Sequence, residues 1–114
     1  MMLGSVTSNA LASTLNALAL RQSAIATNIA NVNTPDYRAQ VVSFEGALAK
    51  SIEEGSGVVT ATVTRSDEAT KLNGNNVNLD TETLASTEAL LRYQFAARAV
   101  EGPATSMRTA MRTN

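Results

Sequence analysis

Apolar side chains form a stripe at Leu11, Leu15, Leu18, Gln22, Ile25, Ile29 and Val32, with steps of 4, 3, 4, 3, 4 and 3. That spacing keeps one face of a helix apolar, as in a coiled-coil seam. It predicts a helix over about residues 8–32. Gln22 is the one polar member. It either lies buried, where it costs stability but fixes register, or stays wet at the edge of the stripe. Ala12, Ala17, Ala19, Ala24, Ala26 and Ala30 flank the seam and are small enough to let other helices approach closely. A second stripe runs Leu90, Tyr93, Ala97, Val100, Ala104, Met107 and Met111, with steps of 3, 4, 3, 4, 3 and 4. Asp80 is a good N-cap with Glu82 in the first turn, so this helix is expected over about 80–112. Gly102-Pro103 interrupts it. A proline inside a helix costs about 3 kcal/mol, so the helix bends there or the last residues form a separate piece. The two stripes are expected to pair.

Between them the pattern breaks down. Asn31-Val32-Asn33 ends the first helix. Pro35 disfavours the helical region at Thr34, and Asp36 suits a turn. Residues 37–44 read as extended, and Phe44, Leu48 and Ile52 share one face of a short helix over about 44–53. Gly55-Ser56-Gly57 ends it. Val58 to Thr64 is rich in strand formers; it needs a partner strand or remains an extended loop. Ser66 to Asn78 is polar and asparagine-rich, a flexible link by composition. The expected fold is mainly α. It is a single domain, 1–114, in which an elongated antiparallel pair of terminal helices encloses an irregular, partly extended middle over 33–79.

Composition sharpens this picture. The chain has 114 residues, of which 44% are apolar but only 4% aromatic, and much of the apolar content is alanine. Burial contributes roughly 25 cal/mol per Å² of apolar surface, so alanine helices make a thin core. Neighbouring chains are expected to complete it, and the isolated chain is expected to be partly disordered. The net charge of −1 gives no bulk attraction to nucleic acid or acidic membranes. Residues 1–20 carry no charge, and neither a basic n-region nor a continuous apolar stretch marks a cleaved signal peptide. This uncharged start reads as a disordered leader or as the first turns of the helix.

The chemistry of the side chains excludes more than it suggests. Histidine and cysteine are absent, which removes imidazole bases, thiolate nucleophiles, disulfides and the usual zinc sites. Glu53-Glu54 and Asp67-Glu68 are acidic pairs, but no apolar residues surround them to raise a pKa. Asn73-Gly74-Asn75-Asn76 lacks the acidic alternation of a calcium loop. Arg92, Arg98, Arg108 and Arg112 come without a set of stacking aromatics, against a role in nucleic-acid binding. No catalytic residue, metal ligand, cofactor or small-molecule substrate is expected.

One stretch is specific. Ile25-Ala26-Thr27-Asn28-Ile29 followed by Ala30-Asn31-Val32-Asn33-Thr34-Pro35-Asp36-Tyr37-Arg38 resembles the N-terminal motif of the flagellar rod, hook and hook–filament-junction family. That motif reads approximately NIANxNTPGY, then a basic residue. Asp36 stands where glycine is frequent. Further likeness lies in Asn75-Asn76-Val77-Asn78-Leu79-Asp80-Thr81-Glu82, in Leu91-Arg92-Tyr93-Gln94 and in Val42-Ser43-Phe44-Glu45. These resemble the proximal rod member of the family, and the likeness spans about residues 10–52 and 74–101.

The resemblance implies a structural subunit of the bacterial flagellar basal body. Such subunits assemble helically, transmit motor torque and line the export channel. They leave the cell by type III export without a cleaved signal, and occupy the periplasmic part of the rod. The implied partners are copies of the chain, rod subunits of the FlgC and FlgF types, the basal adaptor FliE, and the membrane ring with its export gate. Two alternatives stay open: another rod position, such as that of a FlgC-like subunit, and a soluble helical adaptor or chaperone of flagellar export. The expected subunit interface comprises the helix positions Leu11, Leu15, Leu18, Gln22, Ile25, Ile29, Val32, Leu90, Tyr93, Ala97, Val100 and Met107. It also takes in Asn31, Asn33, Pro35, Tyr37 and Phe44 from the turn and the extended segment. Asn28, Asn31 and Asn33 are expected to bond backbone groups there, so that a fixed turn aims the extended segment at the next subunit.

Overall fold

The computed structural model describes the backbone of residues 2–112 and the side chains of residues 4–100. Helix α1 runs Met2–Ala30, strand β1 Gln40–Ser43, helix α2 Glu45–Glu53, strand β2 Thr62–Arg65 and helix α3 Leu79–Arg112. The subunit measures 67 × 29 × 14 Å with a radius of gyration of 17.9 Å. A compact chain of this length has about 13 Å, so the molecule is elongated along its helices.

The uncharged start is helical from Met2. Its polar residues find partners in the loop after α2. Asn9 donates to the Ser56 carbonyl at 3.1 Å and Ser13 to the Gly57 carbonyl at 2.9 Å, while the Val59 amide donates back to Ser13 Oγ at 3.1 Å. Gly57 has φ +75°, and a β-carbon there would lie 2.5 Å from the Val6 carbonyl. Only glycine lets this loop lie so close to α1.

The terminal helices pair antiparallel, with Gln22 opposite Ser86. The Gln22 amide donates to the Ser86 carbonyl at 3.0 Å and accepts from the Ser86 hydroxyl at 3.1 Å. Gln22 is half-buried and therefore sets the register of the pair through a reciprocal bond. On α1 the expected seam is largely inward: Leu18 and Ile25 are buried, and Leu11, Leu15 and Gln22 half-buried, while Val32, also half-buried, falls in the turn after the helix ends at Ala30. Ile29 departs from it and is exposed, because the buried face passes to Asn28.

On α3 the inward face is turned relative to expectation. Glu82, Ala89 and Ala96 are buried, whereas Leu90, Tyr93 and Val100 are exposed and Ala97 is half-buried. The physical reason is bulk. Leu18 and Ile25 occupy the space from the α1 side, so α3 approaches through alanine. Met107 lies outside the residues whose side chains are described. The α3 backbone stays helical across Gly102-Pro103 rather than breaking into two pieces. Glycine before the proline lacks the β-carbon that clashes with the proline ring in a helix. Asn78, not Asp80, caps α3: its Oδ1 accepts from the Asp80 and Thr81 amides at 3.0 and 3.2 Å.

The middle segment covers one side of the pair. β1 and β2 are antiparallel, with Gln40 opposite Arg65 and Ser43 opposite Thr62. β1 turns Val42 inward, whereas β2 is exposed throughout. Phe44 precedes α2 and plugs the core with Ala17, Leu18 and Ala89, and Leu48 and Ala61 pack against it. Ile52, expected on the same face, is 45% exposed. The asparagine-rich stretch before α3 is not a loose link in this fold: Asn75, Asn76 and Val77 are buried.

Two turns interlock where α1 ends. Asp36 holds φ +61° and its amide donates to the Asn73 carbonyl at 2.9 Å. Gly74 has φ +81°, and a β-carbon added there would collide with Asp36 Oδ1. Gly74→Ala is therefore expected to destabilise the chain by more than about 2 kcal/mol, combining a left-handed conformation with a clash. Asp36→Gly removes both the strained non-glycine residue and the colliding carboxylate, and should change stability by less than about 1 kcal/mol. The double variant should recover part of the Gly74→Ala loss. Urea unfolding of the four chains measures this; strict additivity would show that the two turns do not touch.

Candidate assembly interface

The helix exit is held by asparagine side chains. Asn28, buried to 1% exposure in the last turn of α1, uses its whole amide. Its Nδ2 donates to the Gln40 carbonyl at 3.0 Å and to Glu82 Oε2 at 3.2 Å. Its Oδ1 accepts from the Tyr37 hydroxyl at 3.0 Å and the Gln40 amide at 2.8 Å. One residue thereby joins α1, β1 and the first turn of α3. Asn31 folds back onto the Thr27 carbonyl at 2.8 Å, and its Oδ1 accepts from the Thr34 hydroxyl at 3.0 Å. Asn33 differs from the expectation: it is exposed, and among the described residues its side chain takes no part in these bonds.

The stretch before α3 completes the knot. Asn75 donates to the Asn31 and Thr34 carbonyls, both at 2.8 Å, and accepts from the Val77 amide at 2.8 Å. Asn76 accepts from the Ala39 amide at 2.7 Å and donates to the Ser66 and Glu68 carbonyls at 3.1 and 3.2 Å. Sequence reasoning had not given Asn75 and Asn76 a site role. Their signal was present as a second asparagine cluster, but a polar cluster reads as solvated unless its partners are known. Among the described residues no buried side-chain polar atom lacks a partner.

A second device ties the three helices. Glu45, in the first turn of α2, bonds Arg21 of α1 at 2.7 and 2.9 Å and Arg92 of α3 at 3.1 Å. Arg21 also donates to the Val42 carbonyl at 2.6 Å and lies over the Phe44 ring, 4.9 Å from its centre. The Arg21 hydrogen bond holds the Glu45 carboxyl down at about 2, against the opposing effect of burial. The same bond raises the Arg21 pKa.

The expected interface residues thus divide into three groups. Leu18, Ile25 and Phe44 are used inside the subunit, as is the hydroxyl of Tyr37. Leu11, Leu15, Gln22, Asn31 and Val32 are half-buried. Ile29, Asn33, Pro35, Leu90, Tyr93 and Val100 are exposed. The structure adds larger exposed side chains that the seams did not mark: Leu84, Leu91 and Phe95, at 70%, 60% and 79% exposure. These lie on the side of α3 away from Ala85, Ala89 and Ala96. Among the described residues no group of acids suits a metal ion, and no helix is long and apolar enough to cross a membrane.

Comparison with known proteins bears on this arrangement. The family model described as "Flagella basal body rod protein" matches residues 9–38, from the second turn of α1 through the Asn28 knot. The chain is 31% identical over 110 residues to the flagellar basal body rod protein FlgB of Escherichia coli, covering 77% of this chain and 80% of that one. It is 28% identical over 106 residues to FlgB of Bacillus subtilis, covering 81% and 82%. A shorter match, 53% identical over 38 residues, links it to FlgB of Borrelia hermsii. The chain belongs to the FlgB family of flagellar basal body rod proteins. It is a structural subunit of the basal-body rod, and the reading as a soluble export adaptor is not favoured. The left-handed Asp36 has a simple meaning: the backbone at this turn takes a positive φ, a conformation that suits glycine and that aspartate tolerates.

Glu45 makes stability pH-dependent. Its folded pKa of about 2 lies below the ordinary 4.5, so its contribution is complete above pH 4.5. It is lost as pH falls through that value toward 2, while the unfolded chain takes up the proton first. Thermal melts should fall across this window. Glu45→Gln should melt lower at pH 7 and lose part of the fall; an unchanged slope would show that Glu45 is not the group responsible.

Proposed function

We propose that this chain is a proximal-rod subunit whose paired helices pack beside those of neighbouring subunits, so that the assembled helices carry motor torque and line the export channel. The observation that carries the reading is the large apolar surface left on an otherwise paired helix. Leu84, Leu91 and Phe95 face solvent in the single chain, and exposed patches of this kind on a soluble protein mark interaction sites. Leu90, Tyr93, Val100, Asn33 and Pro35 are also exposed, on other sides of the subunit. Torque needs subunits that do not deform, and the asparagine knot and the Glu45 clamp supply stiffness.

The partners in this reading are copies of the chain, subunits of the FlgC and FlgF types, FliE at the base, and the ring with its export gate. The location is the periplasmic part of the rod, reached without a cleaved signal, in keeping with the uncharged residues 1–20. The role is mechanical and not enzymatic, in keeping with a chain without histidine or cysteine.

Replacing the native gene with an epitope-tagged chain and isolating basal bodies tests this reading. The tag should co-purify with the rod at the ring-proximal end, and deletion of the chain should abolish swimming. Recovery solely as a discrete one-to-one soluble complex, with none in basal bodies, would overturn it.

A further inference from the structure

Near the N-terminal end of α1 the helix pair leaves an apolar groove of about 500 Å³. Among the described residues it is lined by Gly4, Leu11, Ala12, Leu15, Ala99 and Val100, together with two small hydroxyl residues. None of these carries a charge. Nothing within the described chain fills the groove. On α3 the ridge Leu84, Leu91, Phe95 stands exposed. From Leu84 to Phe95 the ridge covers eleven residue steps, about 16 Å at 1.5 Å per residue. The α1 wall of the groove, Gly4 to Leu15, spans the same length.

From this match we infer that the Leu84–Leu91–Phe95 ridge of one copy seats in the α1/α3 groove of a second copy. This rests on the rod-subunit reading above and names the contact through which copies meet. Charge permits the docking. Glu88, the acidic residue within the ridge, is bound by Arg92 at 2.7 Å, and Arg92 is also held by Glu45 at 3.1 Å. The ridge therefore brings no unpaired charge of its own against the apolar walls. With Gln22 opposite Ser86, the groove wall Gly4 to Leu15 lies level with about residues 93–104 of α3, about nine residues or 14 Å along the pair from the ridge. The two copies therefore lie side by side with an axial step of about that size. Ridge and groove are different surfaces, so every copy offers both. Such a contact is head-to-tail and propagates around a helix instead of closing as a two-fold dimer.

The cysteine-free sequence gives a direct test. A Phe95→Cys chain and a longer, tagged Gly4→Cys chain are co-expressed, and isolated basal bodies are oxidised. The expected product is a mixed disulfide between the two sizes of chain, absent when either cysteine is omitted. A Phe95→Asp chain should keep the wild-type helical signal, since Phe95 faces solvent, yet its incorporation into basal bodies should fall about tenfold or more. Dimers joined only through Phe95→Cys, a disulfide to a different basal-body protein, or normal incorporation of Phe95→Asp would each overturn the inference while leaving the rod-subunit reading intact. Absence of the wild-type chain from basal bodies would instead overturn that reading.

Discussion

A single buried amide holds the two halves of this subunit in relation. Asn28 satisfies both of its donors and both acceptor positions with groups from α1's exit, β1 and α3. A buried amide left unpaired costs about 1–3 kcal/mol per group, so the four bonds stand or fall together. Tyr37 cannot move without freeing Asn28 Oδ1, β1 cannot slip without losing both Gln40 bonds, and α3 is tethered through Glu82. Asn75 and Asn76 add a second tier that closes the turn after α1 onto the stretch before α3. The result is a fixed corner in which side chains do the work of secondary structure.

That corner matters because the helices alone bury little. The core cluster of Ala17, Leu18, Phe44 and Ala89 contains only two large side chains. Alanine on α3 allows close approach but contributes modest apolar area. Large residues are placed outward instead, at Leu84, Leu91 and Phe95. A monomer optimised for its own stability would bury them. A subunit whose neighbours supply the remaining contacts can leave them exposed, and the slender 67 Å shape keeps most of both helices accessible.

Much of this was legible in the sequence, for reasons that can be named. The heptad through Leu18, Gln22 and Ile25 located α1, and its pairing with α3 followed from the second stripe. Gly55 and Gly57 marked the end of α2, and the β-rich stretch found its partner strand. The rotation of α3 was not legible. A stripe of Leu90, Tyr93 and Val100 and a stripe of Ala85, Ala89 and Ala96 are both periodic. Which one faces inward depends on how much room Leu18 and Phe44 leave. Nor was the role of Asn75 and Asn76 visible, because a buried asparagine and a solvated one look alike until the carbonyls they bond are known. Phe44, expected at the interface as part of the extended segment, instead fills the subunit's own core.

The corner after α1 is already folded in the lone subunit, before any neighbour docks. Amide hydrogen exchange on the dilute chain tests it most directly. The backbone amides of Ala39, Gln40 and Val77, each bonded to an asparagine side chain, should exchange slowly and in step, and Asn28→Ala should release Gln40 first. If those three amides exchange at free-peptide rates while the middle of α1 stays protected, the corner is a product of assembly and the account is wrong.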